Sequence, residues 1–307
     1  MSGSHSAATL ERLLARAEAD RAYLRPWMSQ TAERLASVGG WEGLVGAEEK
    51  EGSAATLVGE IALEEIGGTA SVLDEVLDPS CCRLLIEKHL AVGFTPQSEV
   101  DKLKKEAELR AVGREGVAAA LRDAYRLRRE LGLQHSFVES GNNTSEALTV
   151  ESWELADLLW QRCGPFIPPE LQEQGAMALV PGTYLAQCII PVFRFMRYSA
   201  GQGFRPHHDP TRLLRQHPRT KQKGTFRSLV TIALYLNSAN EMDGGALSFL
   251  RPVDGKKKGK LESIARVEPA VGRAVIFPHK QSHEGGELAG GVKHMCQCDV
   301  LYRRVGD

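Results

Sequence analysis

The stretch Ser228–Asn237, SLVTIALYLN, decides the fold. Its centre, Leu229–Leu236, is a short run of β-branched, apolar and aromatic residues closed by Asn237, which is how a buried strand reads. Further runs of this kind stand on either side, at Ile189–Tyr198, Ala246–Leu250, Ala274–Phe277 and Met295–Tyr302, separated by Gly, Pro and Asn. So many strands close together, with no helical pattern between them, predict an antiparallel sandwich or barrel after Val180.

Upstream the pattern is helical. Leu10, Leu13, Leu14, Ala17, Tyr23 and Leu24 fall near one stripe, so residues 7–37 read as a helix that stops before Gly39-Gly40. The Gly-, Ala- and Glu-rich span from Val45 to Thr56 reads as a linker. From Ser71 an apolar segment, Val72–Leu77, meets Asp78-Pro79-Ser80 and then hydrophobics at helical spacing from Cys82 to Leu90: a strand feeding a capped helix. Residues 101–131 read as a charged helix, and Glu151–Cys163 as another that Pro165, Pro168 and Pro169 end. The expected organisation is α+β, helices first and β-core last, with residues 1–66 a helical extension and linker and residues 67–307 one domain whose core spans 180–305.

Composition narrows the function classes. At 307 residues and 42% hydrophobic content the chain buries a sizeable core, and a formal net charge of -1 gives no global field toward nucleic acid or an anionic membrane. No run approaches the roughly 20 apolar residues of a membrane helix, and the interleaved charges of residues 1–25 argue against a signal or transit peptide. The 6 cysteines follow no disulfide framework, which points to a reducing compartment; a cytoplasmic location is expected, a nuclear one being compatible.

The chemistry sits in Arg205-Pro206-His207-His208-Asp209-Pro210. On a strand, residues two apart share a face, so His207 and Asp209 aim at one ion while His208 points away. An isolated H-x-D is more often ordinary polarity than a metal site. Here a distant His283, in His283-Glu284-Gly285-Gly286, completes two imidazoles and one carboxylate, the set that holds non-haem Fe(II) with positions left open. Zinc is the rival ion for such donors. His279 and His283 are spaced as a helical metal pair, but Pro278 and Gly285-Gly286 oppose a helix there.

From about Phe193 to Arg303 the chain resembles the prolyl 4-hydroxylase-like branch of the Fe(II)/2-oxoglutarate-dependent dioxygenases. Tyr198 through Asp209 is similar to that family's Y-x-x-G-Q-x-(aromatic)-x-x-H-x-D, Ser228–Asn237 to its next strand, and Gly244-Gly245 with Phe249 to its G-G-x-x-x-F turn and strand. His283, Lys293 and the closing CDVLYRR match its distal histidine, lysine and last strand.

The resemblance implies a double-stranded β-helix, or jelly-roll, with the N-terminal helical region packed against it. It implies Fe(II) held by His207, Asp209 and His283, with 2-oxoglutarate as co-substrate, O2 as oxidant and L-ascorbate as reductant. Lys293 and Tyr198 would hold the far carboxylate of 2-oxoglutarate, with Thr231 a further candidate for that pocket; a buried dianion needs such a cation. The expected reaction hydroxylates a C–H bond, foremost of a prolyl or other side chain of a protein or peptide, releasing succinate and CO2. Asn142 and Asn143, in a segment similar to one near the substrate mouth of some members, are candidate substrate residues, as is Arg212.

Two alternatives stand beside this: the same chemistry on a small molecule or nucleobase, or a catalytically idle module that binds a partner through the basic loop 212–227. That loop carries Arg212, Arg215, Arg219, Lys221, Lys223 and Arg227 without Trp or Tyr, so nucleic acid is not an expected partner. Cys296 and Cys298 alternate on a strand and read as core residues.

Overall fold

A computed structural model describes residues 55–92, 95–96, 143–174, 180–253 and 260–307. The helices expected over 7–37 and 101–131, and Asn142, lie outside the described residues. Among the described residues sixteen strands form two sheets in which every pairing is antiparallel. The long strand β16 (Leu288–Arg304) organises the larger sheet. Along its length it pairs with β10 (Lys223–Tyr235) on one side and with β7 (Val192–Ser199) and then β6 (Gly182–Ile189) on the other.

Beyond β10 come β14 (Ala274–Pro278), β2 (Gly68–Asp74) and the edge strand β1 (Thr56–Leu63). Beyond β7 comes β4 (Glu146–Glu151). The smaller sheet runs in the order β13 (Leu261–Val267), β12 (Leu247–Pro252), β15 (His283–Gly285), β8 (Phe204–His207). Two antiparallel sheets closing over a common interior make the jelly-roll that the family resemblance implies.

Strand alternation decides which face each residue serves. On β10, Ile232 and Leu234 belong to the core under the helices, with Leu85, Leu155, Leu159, Cys296 and Cys298. The alternate residues Ala233 and Tyr235 pack inward with Leu247, Phe249 and Phe277 from across the interior. Helix α1 (Pro79–Val92) starts where the Asp78 carboxylate accepts the amide hydrogens of Ser80 and Cys81, with Pro79 at its first position. Helix α2 (Trp153–Cys163) is capped by Ser152, whose Oγ accepts from the Leu155 amide at 3.1 Å, and it ends at Gly164-Pro165. No helix among the described residues is long and apolar enough to cross a membrane.

The structure differs from the sequence reading in three places. The sheet already begins at Thr56, ahead of residue 67, because β1 pairs with β2 along its length. Helices do not all precede strands either: β1, β2 and β4 come early in the chain and join the same sheet as β16. Arg273, beside β14, grips Asp74 of β2 with two bonds, Nε to Oδ1 at 2.6 Å and an Nη to Oδ2 at 2.9 Å, tying early strand to late.

Third, the basic stretch 212–227 is not all loop. Part of it is β9 (Leu213–Gln216), paired with β10. Arg212 pairs with Asp299, Arg219 with Asp157 while lying 4.0 Å over the Trp153 ring, and Arg227 with Glu173. Three of the six basic residues of the stretch thus have carboxylate partners within the fold.

Candidate metal centre

The smaller sheet sets the two imidazoles. His207 ends β8, His283 begins β15, and the two are register partners. Asp209 lies just past β8 rather than on it, and its amide donates to the His279 carbonyl at 3.1 Å, which brings it beside both. One ligand atom from each of His207, Asp209 and His283 lies within 4.8 Å of the others, and all three residues are buried. No other such trio of His, Cys, Asp or Glu occurs among the described residues. His208 stays out of the group, and His279 sits in the turn after β14, not on a helix.

Each imidazole has a fixed orientation. Nδ1 of His207 bonds the Arg205 carbonyl at 2.8 Å and Nδ1 of His283 the Gln281 carbonyl at 2.9 Å. A carbonyl accepts only, so in both rings the proton sits on Nδ1 and the lone pair on Nε2. Those Nε2 atoms face the same carboxylate, 3.8 Å from Asp209 Oδ1 for His207 and 3.6 Å from Oδ2 for His283. Burial first, then the neighbouring His283, pushes His207 down to about 3, so its ring is neutral at pH 7. Burial raises the Asp209 carboxyl, but the imidazoles of His283, His279 and His207 and the Thr231 hydroxyl outweigh it and hold it at about 2. Two imidazole nitrogens and one ionised oxygen gathered in this way fit a divalent first-row metal.

A cavity opens beside this point, lined among others by Tyr198, Thr231, Tyr235, His207, His283 and Lys293. Lys293 is register partner of Tyr198, and its Nζ donates to the Gly245 carbonyl at 2.9 Å and lies 4.5 Å from the Tyr198 ring centre. Gly244 and Gly245 shape that anchor. Their φ of 87° and 78° favour glycine, and a Cβ on Gly244 would run into the Glu287 carbonyl. Among the described residues no carboxylate pairs with Lys293, and burial lowers its ammonium to about 8. A buried cation without a counter-anion is set to receive one.

The other expected residues divide. Tyr198 lines the cavity, 1% exposed. Thr231 also lines it, but its hydroxyl donates to Asp209 Oδ2 at 2.6 Å, so it serves the carboxylate directly. Asn143 is buried outside the lining, its Oδ1 accepting from the Ser145 amide and its backbone bridging Phe204. Arg212 also lies outside, turned to Asp299 at 2.9 Å.

Two residues escaped the sequence reading. Tyr235 lines the same cavity, and Gln297 donates from Nε2 to Asp209 Oδ1 at 3.0 Å. Period-two counting finds both: Tyr235 is four residues past Thr231, and Gln297 four past Lys293.

Three solved structures share features of the chain at low identity. A viral collagen prolyl hydroxylase from Paramecium bursaria Chlorella virus-1, solved with 2-oxoglutarate, is 15% identical with a TM-score of 0.40, over 76% of this chain and 96% of that one. A Pseudomonas putida prolyl-4-hydroxylase is 18% identical with a TM-score of 0.33, over 61% and 85%. A Trichoplax adhaerens prolyl hydroxylase, solved with a hypoxia-inducible-factor peptide fragment, is 17% identical with a TM-score of 0.30, over 52% and 62%. Comparison with curated proteins finds no match.

Residues 193–298 match the sequence model of the 2OG-Fe(II) oxygenase superfamily, and this span holds Tyr198, His207, Asp209, His283 and Lys293. Over that segment the chain is similar to the 2OG-Fe(II) oxygenase superfamily.

Proposed function

We propose that the protein is a dioxygenase that hydroxylates a C–H bond in a prolyl or other side chain of a protein or peptide. The observation that carries the reading is the joint geometry of two Nε2 lone pairs and one carboxylate beside a buried Lys293 that pairs with no carboxylate among the described residues. Fe(II) and 2-oxoglutarate, when bound, supply the oxidising power: one atom of O2 enters the substrate, the other enters succinate, and CO2 leaves.

The chain's own residues divide the remaining work. His207, Asp209 and His283 would hold the metal from one side, leaving the opposite side open to the cavity. Lys293 and the Tyr198 hydroxyl would hold the distant carboxylate, whose charge offsets the desolvation of the ammonium. Phe204, Phe277, Leu247, Met196 and Met295 line the same cavity and would limit the access of water to the metal. L-ascorbate would serve to keep the iron reduced.

The preference for a macromolecular substrate rests on the resemblance to prolyl 4-hydroxylases. Fe(II)-loaded protein incubated with 2-oxoglutarate and a panel of proline-containing peptides and small metabolites should form succinate with a peptide. Succinate formed only with a metabolite or nucleoside would overturn the peptide assignment, and none under any condition would overturn the reaction.

A further inference from the structure

The Asp209 carboxylate is held at both oxygens. Thr231 Oγ1 donates to Oδ2 at 2.6 Å and Gln297 Nε2 donates to Oδ1 at 3.0 Å. The two donors stand on neighbouring strands. Thr231 of β10 is register partner of Asp299 on β16, and Gln297 of β16 is register partner of Ala233. Both therefore point to the interior, one step apart along the sheet, and the methyl of Ala233 leaves room for the Gln297 amide.

Asp209 lies past the end of β8, so the strand ladder does not fix its side chain. Its backbone is tied once, to the His279 carbonyl. Without the two donors a short carboxylate in this position would rotate about its last torsion, which is broad for Asp.

Resting on the reading of this site as a metal centre, we infer that Gln297 and Thr231 are positioning residues that clamp Asp209 as a metal ligand and so set the affinity of the site for a divalent cation. Each donor engages one oxygen, each imidazole faces one, and the plane of the carboxylate is fixed between the two His Nε2 atoms. In a buried site a charge-assisted bond of this kind is strong, and an ionised carboxylate that loses its donor is left under-solvated. Partners of metal ligands typically change affinity by about 10–100-fold when removed.

A bland role for Gln297 is simple occupancy of the cavity wall. An apolar replacement of similar volume separates the two, since it keeps the packing and removes the donor.

The test is titration of the metal-free full chain with Co(II), followed by its ligand-field absorption, together with the melting temperature of the metal-free protein. Gln297→Leu and Thr231→Val should each lower Co(II) affinity by about 10–100-fold and alter the absorption bands. Thr231→Ser, which keeps the hydroxyl, should stay near wild type. Gln297→Glu, close to isosteric but presenting a second carboxylate to Asp209, should bind differently from wild type in both affinity and spectrum even if Gln297→Leu folds poorly.

Wild-type affinity and an unchanged spectrum in Gln297→Leu, Gln297→Glu and Thr231→Val would overturn the clamp and leave the metal centre standing. A wild-type chain that takes up no Co(II) would overturn both.

Discussion

The two faces of the larger sheet make a controlled comparison, because they share strands and burial and differ only in the parity of the residue. On the helix side β16 carries Cys296, Cys298 and Val300, and β10 carries Ile232 and Leu234. On the interior side β16 carries Lys293 and Gln297 and β10 carries Thr231, all polar, with Lys293 and Thr231 buried and Gln297 half-buried. Burial is common to both faces, so burial does not mark function. Polarity retained at buried positions of one parity does, because each such group costs free energy unless it is paired or awaits a partner.

The largest difference between the faces is expected at the metal ligands. His207→Ala or Asp209→Ala should abolish succinate formation while the protein still folds, checked by circular dichroism beside a turnover assay. Activity surviving both changes would remove the interior face from the chemistry.

Next comes Lys293. Lys293→Ala leaves the far carboxylate of 2-oxoglutarate without a cation, and an unpaired buried charge costs about 3–5 kcal/mol, which corresponds to roughly 10²–10⁴-fold in affinity. Calorimetric titration of the metal-loaded variant with 2-oxoglutarate measures it. Lys293→Met should weaken binding similarly yet raise the melting temperature of the ligand-free protein, because a lone buried ammonium leaves the core.

The same lysine sets a pH dependence with a defined sign. Its ammonium is lowered to about 8 in the fold against 10.5 ordinarily. Between those values the unfolded chain binds more protons than the folded one, so the stability of the ligand-free protein rises with pH through that window. Co-substrate binding moves the other way. It needs the ammonium, so above about pH 8 affinity should fall by up to about tenfold per pH unit, and Lys293→Met should abolish that slope.

The helix side should respond in stability alone. Leu159 is fully buried among the α2 and sheet residues, and Leu159→Ala should cost about 2–5 kcal/mol in a denaturant melt while leaving the affinity for 2-oxoglutarate at a permissive temperature near wild type. An affinity loss as large as that of Lys293→Ala would mean that the two faces are not separable.

Much of this contrast was legible in the sequence, and what was not has physical causes. The strands of the core announce themselves because one or both faces are buried, as in Leu229–Leu236. Strand β1 does not, since it is an edge strand with Leu57 42% and Val58 50% exposed and so lacks an apolar alternation.

His207, Asp209 and His283 stood out through spacing and order. Gln297 did not, because its partner Asp209 is 88 residues away and only the strand register joins them. Thr231 was placed on the right wall, but the direction of its hydroxyl depends on where Asp209 lies after β8. The pairing of Arg212, Arg219 and Arg227 was not legible because Asp299, Asp157 and Glu173, their partners, are remote in sequence.

The most direct test of the metal centre is anaerobic equilibrium dialysis of Fe(II) against the wild-type chain and the three single variants His207→Ala, Asp209→Ala and His283→Ala. The expected result is one tightly held ion per wild-type chain and loss of that ion in every variant. Undiminished Fe(II) retention in all three variants would contradict it, for the iron would then be bound somewhere else.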